Sequence, residues 1–572
     1  MVATAPALLK RSPAVRPEPK SPDLAYFRRH YPETVANLGT LPRREEWLRG
    51  LWELDERWRA ERETRGGVAR AEEVVVRGAA PAGARVEAEF DVVYAGGVVG
   101  LLHAAVLACR FGRRALVLED GARAEGQWNV SEDELRELER AGLFTREEIE
   151  RAVVNRGRGG YVKFHDASSR VKAEPLWVGG VRDVALDADR LLASAAERLR
   201  AAPGCALVAG LRFVRAYVER DRVTVEAAGP GGARRYFGAR LFVDATGGGS
   251  PVARQLAGGR AVTHVCPTVG TVARGFVRGA GRDEVDFAAG DLLASTEDAS
   301  QHRQLVWEGF AGAAGRDEYT TRLFFYDAVD SPADQSLLAL FERYFETLPA
   351  FKRRGAHWRV ERPLFDYVPA AGRAGRGRRG ARGGEDRVMS LGASAAAGPL
   401  APRGFGAHAR NLRRVAHMTE LALAADMLDA PALAEVCAAG PRAAQAAGLA
   451  EFLRPAPQSA PSSVNETLNA LMAALHRLDD GVRRELFQGH LSFGALRRLF
   501  GHTAVLYPRI FTRVREHLGA GGALWWLADI AESVWSERRG RAAARGVEAA
   551  EPRERFARHA ALYRNGGEGD PL

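Results

Sequence analysis

Hydrophobic and polar positions change rhythm along this chain, and each change marks an element. Between residues 22 and 75, Trp47, Leu48, Leu51, Trp52 and Leu54 recur at helical spacing, which predicts amphipathic helix with one core-facing or docking stripe. A Gly/Ala/Pro stretch, "RGAAPAGARVEAEF", then opens a second regime. From residue 90, short apolar runs alternate with longer amphipathic ones, the pattern of βαβ units and a parallel sheet. "FDVVYAGG" predicts a strand, "VVGLLHAAVLACRFG" a helix ending at Gly112, and "RRALVLED" the next strand. Further strands are predicted in "CALVAGLRFVRAYVE", "RVTVEAA", "ARLFVDATGGGSP" and "RLFFYDAVD". After residue 408 the pattern is helical to the end, broken at "LRPAPQSAPSSVNET".

Composition narrows the class. The 572 residues are 46% hydrophobic and 27% charged, ordinary for a chain that buries a sizeable core. The net charge of +10 comes almost wholly from arginine, since lysine occurs only at Lys10, Lys20, Lys163, Lys172 and Lys352. That bias fits GC-rich coding. No basic stripe interleaves with stacking aromatics, so no nucleic-acid partner is expected. An anionic membrane surface remains compatible with the charge. Cys109, Cys205, Cys266 and Cys437 lie far apart and read as reduced structural thiols. No apolar run approaches the ~18–20 residues of a spanning helix. Residues 1–20 are Ala/Pro-rich, basic and acid-free until Glu18, which suits either a transit segment or a disordered terminus. The arginine/glycine run at 371–387 reads as an exposed loop. The histidines show no metal-ligand spacing, and no G-x-S-x-G or Walker motif appears.

Candidate chemistry centres on "YAGGVVG", Tyr94–Gly100, a near match to G-x-G-x-x-G in which Ala95 replaces the first glycine. Its context is strand, glycine turn, helix, strand and acid over about thirty residues, the arrangement that binds a dinucleotide. Gly96 and Gly97 form the turn, and Gly97 lets backbone approach a pyrophosphate at the helix N-terminus. Gly100 lets helix lie close to strand, and Glu119 is placed to accept ribose hydroxyls. An ordinary βαβ unit with a glycine turn is the alternative. "LFVDATGGGSP" supplies a second turn, Asp244, Ala245, Thr246 and Gly247, of the kind that passes an adenosine half in two-dinucleotide-type flavoproteins. "ALDADRLLASAAERL" resembles the helix start where glutathione-reductase-like monooxygenases place an arginine, here Arg190; a surface arginine is the alternative.

At Gln127 the text reads "QWNVSEDELRELERAGLFTREEIE", with Ser131 and Glu134 spaced as a capping box. Together with "VCPTVGTVARGF" (265–276), "LVWEGFAGAAGRDEYTTRLFFYD" (305–327) and "GPLAPRGFGAHARNLRR" (398–414), it resembles the lycopene cyclase-like FAD/NAD(P)-binding flavoproteins of plastids and cyanobacteria, over roughly 88–530. Those are related to carotenoid cyclases and geranylgeranyl-reductase-type flavoproteins, and in them too the glycine loop starts with a small non-glycine residue. The resemblance implies an α/β, Rossmann-like FAD-binding fold of the glutathione-reductase/monooxygenase type. It carries an inserted, mostly antiparallel β substrate domain and a helical C-terminal region. It also implies FAD as cofactor, NAD(P)H as a candidate electron donor, and Gly392, Ala393, Gly404, Phe405 and Gly406 at the flavin end.

Two departures temper that expectation. Where the superfamily usually carries G-D, with the aspartate on the ribityl chain, this chain has Gly392-Ala393. The missing charge-assisted hydrogen bond is worth ~1.5–3 kcal/mol, about one to two decades in affinity, so weak flavin retention is expected. Where lycopene cyclases carry paired glutamates, the strand reads "RLFFYDA". Asp327 with Glu308 are the candidate proton donors, structural polar groups at strand ends being the alternative.

The expected organisation is a disordered or transit-like segment at 1–21 and a helical extension at 22–87. A Rossmann-like domain follows at 88–260 and 361–430, a β-rich substrate domain at 261–360 and helices at 431–572. The C-terminal helices, including "HLSFGALRRLFGHTAVLYPRIFTRV" and "GGALWWLADIAESVWSERRGR", pair tryptophans and apolar faces with arginine borders. They suggest peripheral contact with a thylakoid or envelope membrane, or a helical cap on the body. The leading expectation is a plastid FAD-dependent redox or isomerising enzyme on a membrane-soluble, isoprenoid-like substrate (a carotenoid, quinone or pigment). The alternative is a catalytically inactive flavoprotein-derived binding or assembly protein.

Overall fold

The computed structural model describes residues 22–66, 73–121, 126–247, 250–256, 262–371, 385–392, 404–437, 449–456, 459–516, 531, 535 and 551–564. Helices α1 (Leu24–His30), α2 (Pro32–Leu38) and α3 (Arg44–Gly66) come first. They lead to β1 (Val75–Arg77), β2 (Val86–Ala95), α4 (Val98–Phe111), β3 (Ala115–Glu119) and β4 (Gln127–Val130). Then come α5 (Glu132–Arg140), α6 (Arg146–Ala152), β5 (Val153–Arg156), β6 (Gly159–Lys163), β7 (Leu176–Gly179) and β8 (Val184–Asp187). Next are α7 (Ala188–Ala201), β9 (Ala206–Ala209), β10 (Arg212–Val218), β11 (Val223–Ala228), β12 (Arg234–Asp244) and α8 (Pro251–Leu256). The middle of the chain forms β13 (Val262–Phe276), β14 (Gly290–Ala294), β15 (Val306–Ala311), β16 (Tyr319–Phe324), β17 (Asp327–Ala328), α9 (Leu337–Phe351) and β18 (Arg354–Ala371). The remainder is β19 (Val388–Ser390), α10 (Phe405–Ala425), α11 (Ala430–Val436), α12 (Ser463–Leu475), α13 (Asp480–Phe487), α14 (Phe493–Leu506) and α15 (Pro552–Arg564).

The first sheet runs β1-β10-β11-β12-β2-β3-β9, with β19 added beside β12. Its half nearest the glycine turn is parallel: β9, β3, β2, β12 and β19 all point one way. The continuous apolar run of β2 follows from this, because both faces of the strand are covered. Val92 and Tyr94 pack under α4, α7 and α10, while Val93 and Ala95 face a second core with residues of β10 and β11. Tyr94 is fully buried and keeps its hydroxyl satisfied at 2.8 Å from His103 Nδ1 on α4. Helix α4 ends at Gly112 in the left-handed conformation, as its glycine predicts. This is an α/β, Rossmann-like body.

The second sheet runs β17-β13-β16-β15-β14-β6-β7, with β18 along β13, and is antiparallel except where β14 meets β6. It draws β6 and β7 from residues 159–179 and β18 from 354–371, so its strands come from beyond residues 261–360 on both sides. Strand alternation sends Trp307, Leu323 and Phe325 to a core built with α9 and the N-terminal helices. Val306, Phe310 and Phe324 face the opposite way, toward α12–α14. Strands β4, β8 and β5 form a small third sheet. Among the described residues, no helix is long and apolar enough to cross a membrane.

Candidate functional site

Parallel pairing lines up the C-terminal ends of four strands. Asp244 registers with Ala95 on one side and Ser390 on the other, and Ala95 registers with Leu118 beyond it. The turns that follow therefore converge at one sheet edge, where doubly wound sheets bind ligands. Gly96 has φ +103°, and a Cβ there would lie 2.8 Å from Thr246 N and 2.5 Å from the Ala245 carbonyl carbon. No side chain fits between those two backbones. Ala245 N completes the junction by donating to Ala95 O at 2.7 Å. Gly100 meets Ala245 Cβ at 3.1 Å in the same test, so the helix–turn approach requires a glycine there too.

Beside this junction lie the groups a dinucleotide would use. Gly97 caps α4 and, among the described residues, no side chain partners the first N–H groups and the one atom near a Cβ on it is Glu119 Oε1 at 3.4 Å. Glu119 is half-buried and, among the described residues, its carboxylate has no hydrogen-bond or ion-pair partner; burial pushes the carboxyl up, with Arg200 opposing. Asp244 is fully buried and anchors its own turn, accepting from Thr246 N at 3.1 Å, Thr246 Oγ1 at 2.6 Å and Ser250 Oγ at 2.5 Å. Its role is to hold the turn, since the carboxylate is spent on its own loop. Gly247, at φ +104°, has the left-handed backbone conformation that favours glycine.

The path continues toward α10. Leu391 N donates to Asp244 O at 2.7 Å, and Gly392, at φ +66°, packs against Val99 of α4 and His408 of α10. Burial holds the His408 imidazole below its ordinary range. Gly404 starts α10, and Phe405 stacks on Trp128 with centroids 3.5 Å apart. At Gly406 a Cβ would overlap the Glu134 carboxylate, which also pairs with Arg410. Glu134 accepts from Ser131 N at 2.8 Å, so the capping residue of α5 also pins the first turns of α10.

Beyond Gly404 and Phe405 opens a cavity of about 1190 Å³. Its walls are the Phe310/Phe324/Tyr326 face of the second sheet, Leu468, Leu471 and Met472 of α12, and Phe487 and Leu499 from the helices that follow. Trp47 and Leu54 of α3 close one side. Between these apolar walls Arg182 Nη1 pairs with Glu308 Oε1 at 2.8 Å, and Arg57, Arg322, Arg362 and Asp366 also border the space, Arg322 in register with Glu308 across β15 and β16. Space of this kind suits a large apolar ligand with few polar groups.

Of the sequence-derived site residues, the structure brings together Ala95, Gly96, Gly97, Gly100, Glu119, Asp244, Ala245, Thr246, Gly247 and Gly392 at one edge, with Gly404, Phe405 and Gly406 at the end next to the cavity. Ala393 lies outside the described residues, as do 1–21, most of 371–387 and nearly all of the tryptophan-rich stretch at 521–541. Arg190 is corrected: it is exposed on the first turn of α7 and its guanidinium donates to the Arg151 carbonyl on α6, not to the glycine turn. The pairing of Asp327 with Glu308 is corrected as well. Glu308 is on the cavity face, whereas Asp327 points to the other face and bonds Gln335 Nε2 at 3.1 Å. Burial raises the Asp327 carboxyl, yet it lines no part of the cavity. Arg182 was missed, because an arginine in a short loop carries no motif. Its one local signal is the preceding Gly179-Gly180 turn.

No family model matches the chain, and no curated protein matches it. Among solved structures it is similar to a geranylgeranyl bacteriochlorophyll reductase-like protein from Thermoplasma acidophilum, 13% identical over 75% of this chain and 99% of that one, with a TM-score of 0.47. It is similar to a flavoprotein/dehydrogenase from Cytophaga hutchinsonii (12% identity, 73% and 98% covered, TM-score 0.49). It is also similar to the halogenase PltM in complex with phloroglucinol and FAD (16% identity, 84% and 97% covered, TM-score 0.48).

Proposed function

We propose that this protein binds FAD along the Gly97–Gly392–Gly404 path and acts on a large apolar molecule held in the adjoining cavity. The observation that carries the reading is the half-buried Glu119, whose carboxylate has no hydrogen-bond or ion-pair partner among the described residues and faces Gly97 at the edge where three turns converge. The residues present fit the group. The uncapped N-terminus of α4 would receive the pyrophosphate, Glu119 would accept ribose hydroxyls, and the Asp244–Gly247 turn would border the adenosine half. Gly392 and the Gly404–Gly406 turn would border the other end.

Bound FAD supplies hydride or electron transfer that no side chain here offers. The chain's own part is to bind, to orient and to exclude water. Apolar residues from the second sheet and from α12–α14 enclose the substrate, and Trp47 and Leu54 shield it. Glu308 Oε1 is engaged by Arg182, and the pair is the polar group placed to orient the substrate against these apolar walls. The substrate class that suits this lining is isoprenoid-like, and the lycopene cyclase-like resemblance supports it. NAD(P)H is the proposed electron donor and a plastid membrane the proposed location. The motif resemblance supports the location, as does the Val505 and Phe511 surface, which is exposed beside Arg509 and Arg515.

The test is flavin retention. Protein mixed with FAD and desalted should remain yellow, and Gly97→Asp, which puts a carboxylate where the pyrophosphate belongs, should be colourless. Ala393→Asp should lower the FAD Kd by about ten- to a hundredfold if that position holds the ribityl chain. Wild-type protein that leaves the column colourless at any FAD concentration would defeat the reading and favour a binding or assembly protein.

A further inference from the structure

We infer that Arg182 and Glu308 together form the recognition point for one carbonyl oxygen of an uncharged, otherwise apolar molecule of the quinone or enone class. The inference rests on the reading of the cavity as the substrate site and names what that site selects.

The loop carrying Arg182 is built to aim it. Gly180 and Arg182 both have positive φ, +71° and +50°. For a non-glycine residue such a conformation persists only where its surroundings impose it. Here they do. Gly157 N donates to Asp183 O at 2.6 Å, Gln488 Nε2 donates to Gly180 O at 3.3 Å, and Val181 is buried between them. The guanidinium that results lies over the Phe310 ring at 5.7 Å. Nη1 is taken by Glu308, and Nη2 lies 4.0 Å from where a Cβ on Gly404 would sit, at the start of α10.

The chemistry of the pair selects its ligand. An apolar molecule filling the cavity strips water from the remaining N–H groups, and an unmet buried donor is unfavourable. A carbonyl oxygen restores the bond. A carboxylate would also reach Arg182, but it would stand beside the Glu308 carboxylate, and like charges in a low-dielectric site repel; the other arginines of the lining, Arg43, Arg57, Arg322 and Arg362, are already engaged. The pair therefore favours a neutral acceptor over both a hydrocarbon and an acid.

Tryptophan fluorescence tests this without any flavin, because Trp47 and Trp128 line the cavity and quinones quench indole. Decylubiquinone should quench the wild-type protein saturably, with dodecanoate competing at least tenfold more weakly. Arg182→Met should raise the decylubiquinone Kd at least tenfold with an unchanged melting midpoint. Glu308→Gln should strengthen dodecanoate at least tenfold relative to decylubiquinone. A quinone Kd within twofold of wild type in Arg182→Met overturns the inference, and so does unchanged dodecanoate binding in Glu308→Gln. Should Arg182→Met fail to fold, the Glu308→Gln comparison decides alone. Quinone binding by a protein that retains no FAD keeps this inference and removes the flavin reading. FAD retention without quinone binding does the reverse.

Discussion

Gly96 shows how one residue joins two strands. Its left-handed φ and the absence of a Cβ let the β2 turn lie directly on the Ala245–Thr246 backbone. Gly96→Ala should cost about 2 kcal/mol or more, from backbone strain plus displacement of the neighbouring turn. Urea unfolding measures this directly, and a loss under ~0.5 kcal/mol would mean the two turns do not depend on each other. Ala95, one residue earlier, is buried in a strand and tolerates its methyl without strain. The same local chemistry made this part of the site legible in the sequence. Glycine spacing, the apolar run before it and an acid nineteen residues after Gly100 are short-range signals. Arg190 was misplaced because a resemblance, not a local constraint, pointed to it. Asp327 and Glu308 are nineteen residues apart, on strands whose facing sides only the pairing register fixes.

At the scale of elements, helix α14 has two unlike regions, one buried and one exposed. Leu496 and Leu499 are buried, Leu499 against the cavity, while Val505 is 78% exposed at the helix end and Phe511 66% exposed just beyond it. Arg497, Arg509 and Arg515 are exposed around that end. Apolar tips ringed by cations suit the headgroup boundary of an anionic bilayer. Vesicles rich in anionic lipid should float the protein, and Val505→Asp with Phe511→Asp should leave it at the bottom of the gradient. Flotation unchanged by the double substitution would place the contact elsewhere. The strands and helices themselves were mostly readable from periodicity. Their grouping was not, because β6 joins the second sheet by pairing with β14 more than a hundred residues later, a pairing no local pattern encodes.

For the whole molecule, two buried histidines contribute to acid sensitivity. Burial holds His103 at about 4, and burial together with His559, Arg555, Arg413 and Arg110 holds His417 at about 4. Both lie below the ordinary value of about 6.5, so the unfolded chain takes up their protons first. Their contribution to stability is complete above about pH 6.5 and is lost as pH falls toward about 4, at up to ~1.4 kcal/mol per pH unit for each. Denaturant midpoints at pH 7, 6 and 5 should fall progressively, and His103→Gln should reduce that slope. A slope identical to wild type would assign the acid sensitivity to other groups.

Asp55 of α3 ties the first helices to the rest in a way that bears on synthesis of the chain. It is buried, and it accepts from Ser336 Oγ at 2.6 Å, Leu337 N at 2.8 Å, Leu338 N at 3.2 Å and Tyr367 Oη at 2.7 Å. The N-terminus of α9 thus receives part of its cap from a residue made nearly three hundred positions earlier. On the ribosome, α3 emerges with a buried-type aspartate and no partner, and it must wait for α9 and β18 before it can settle. Such long sequence separation slows folding and lengthens the interval in which apolar faces are open to chaperones or to aggregation. The helix that shields the cavity is translated well before the segments it docks on, and so is among the last able to settle.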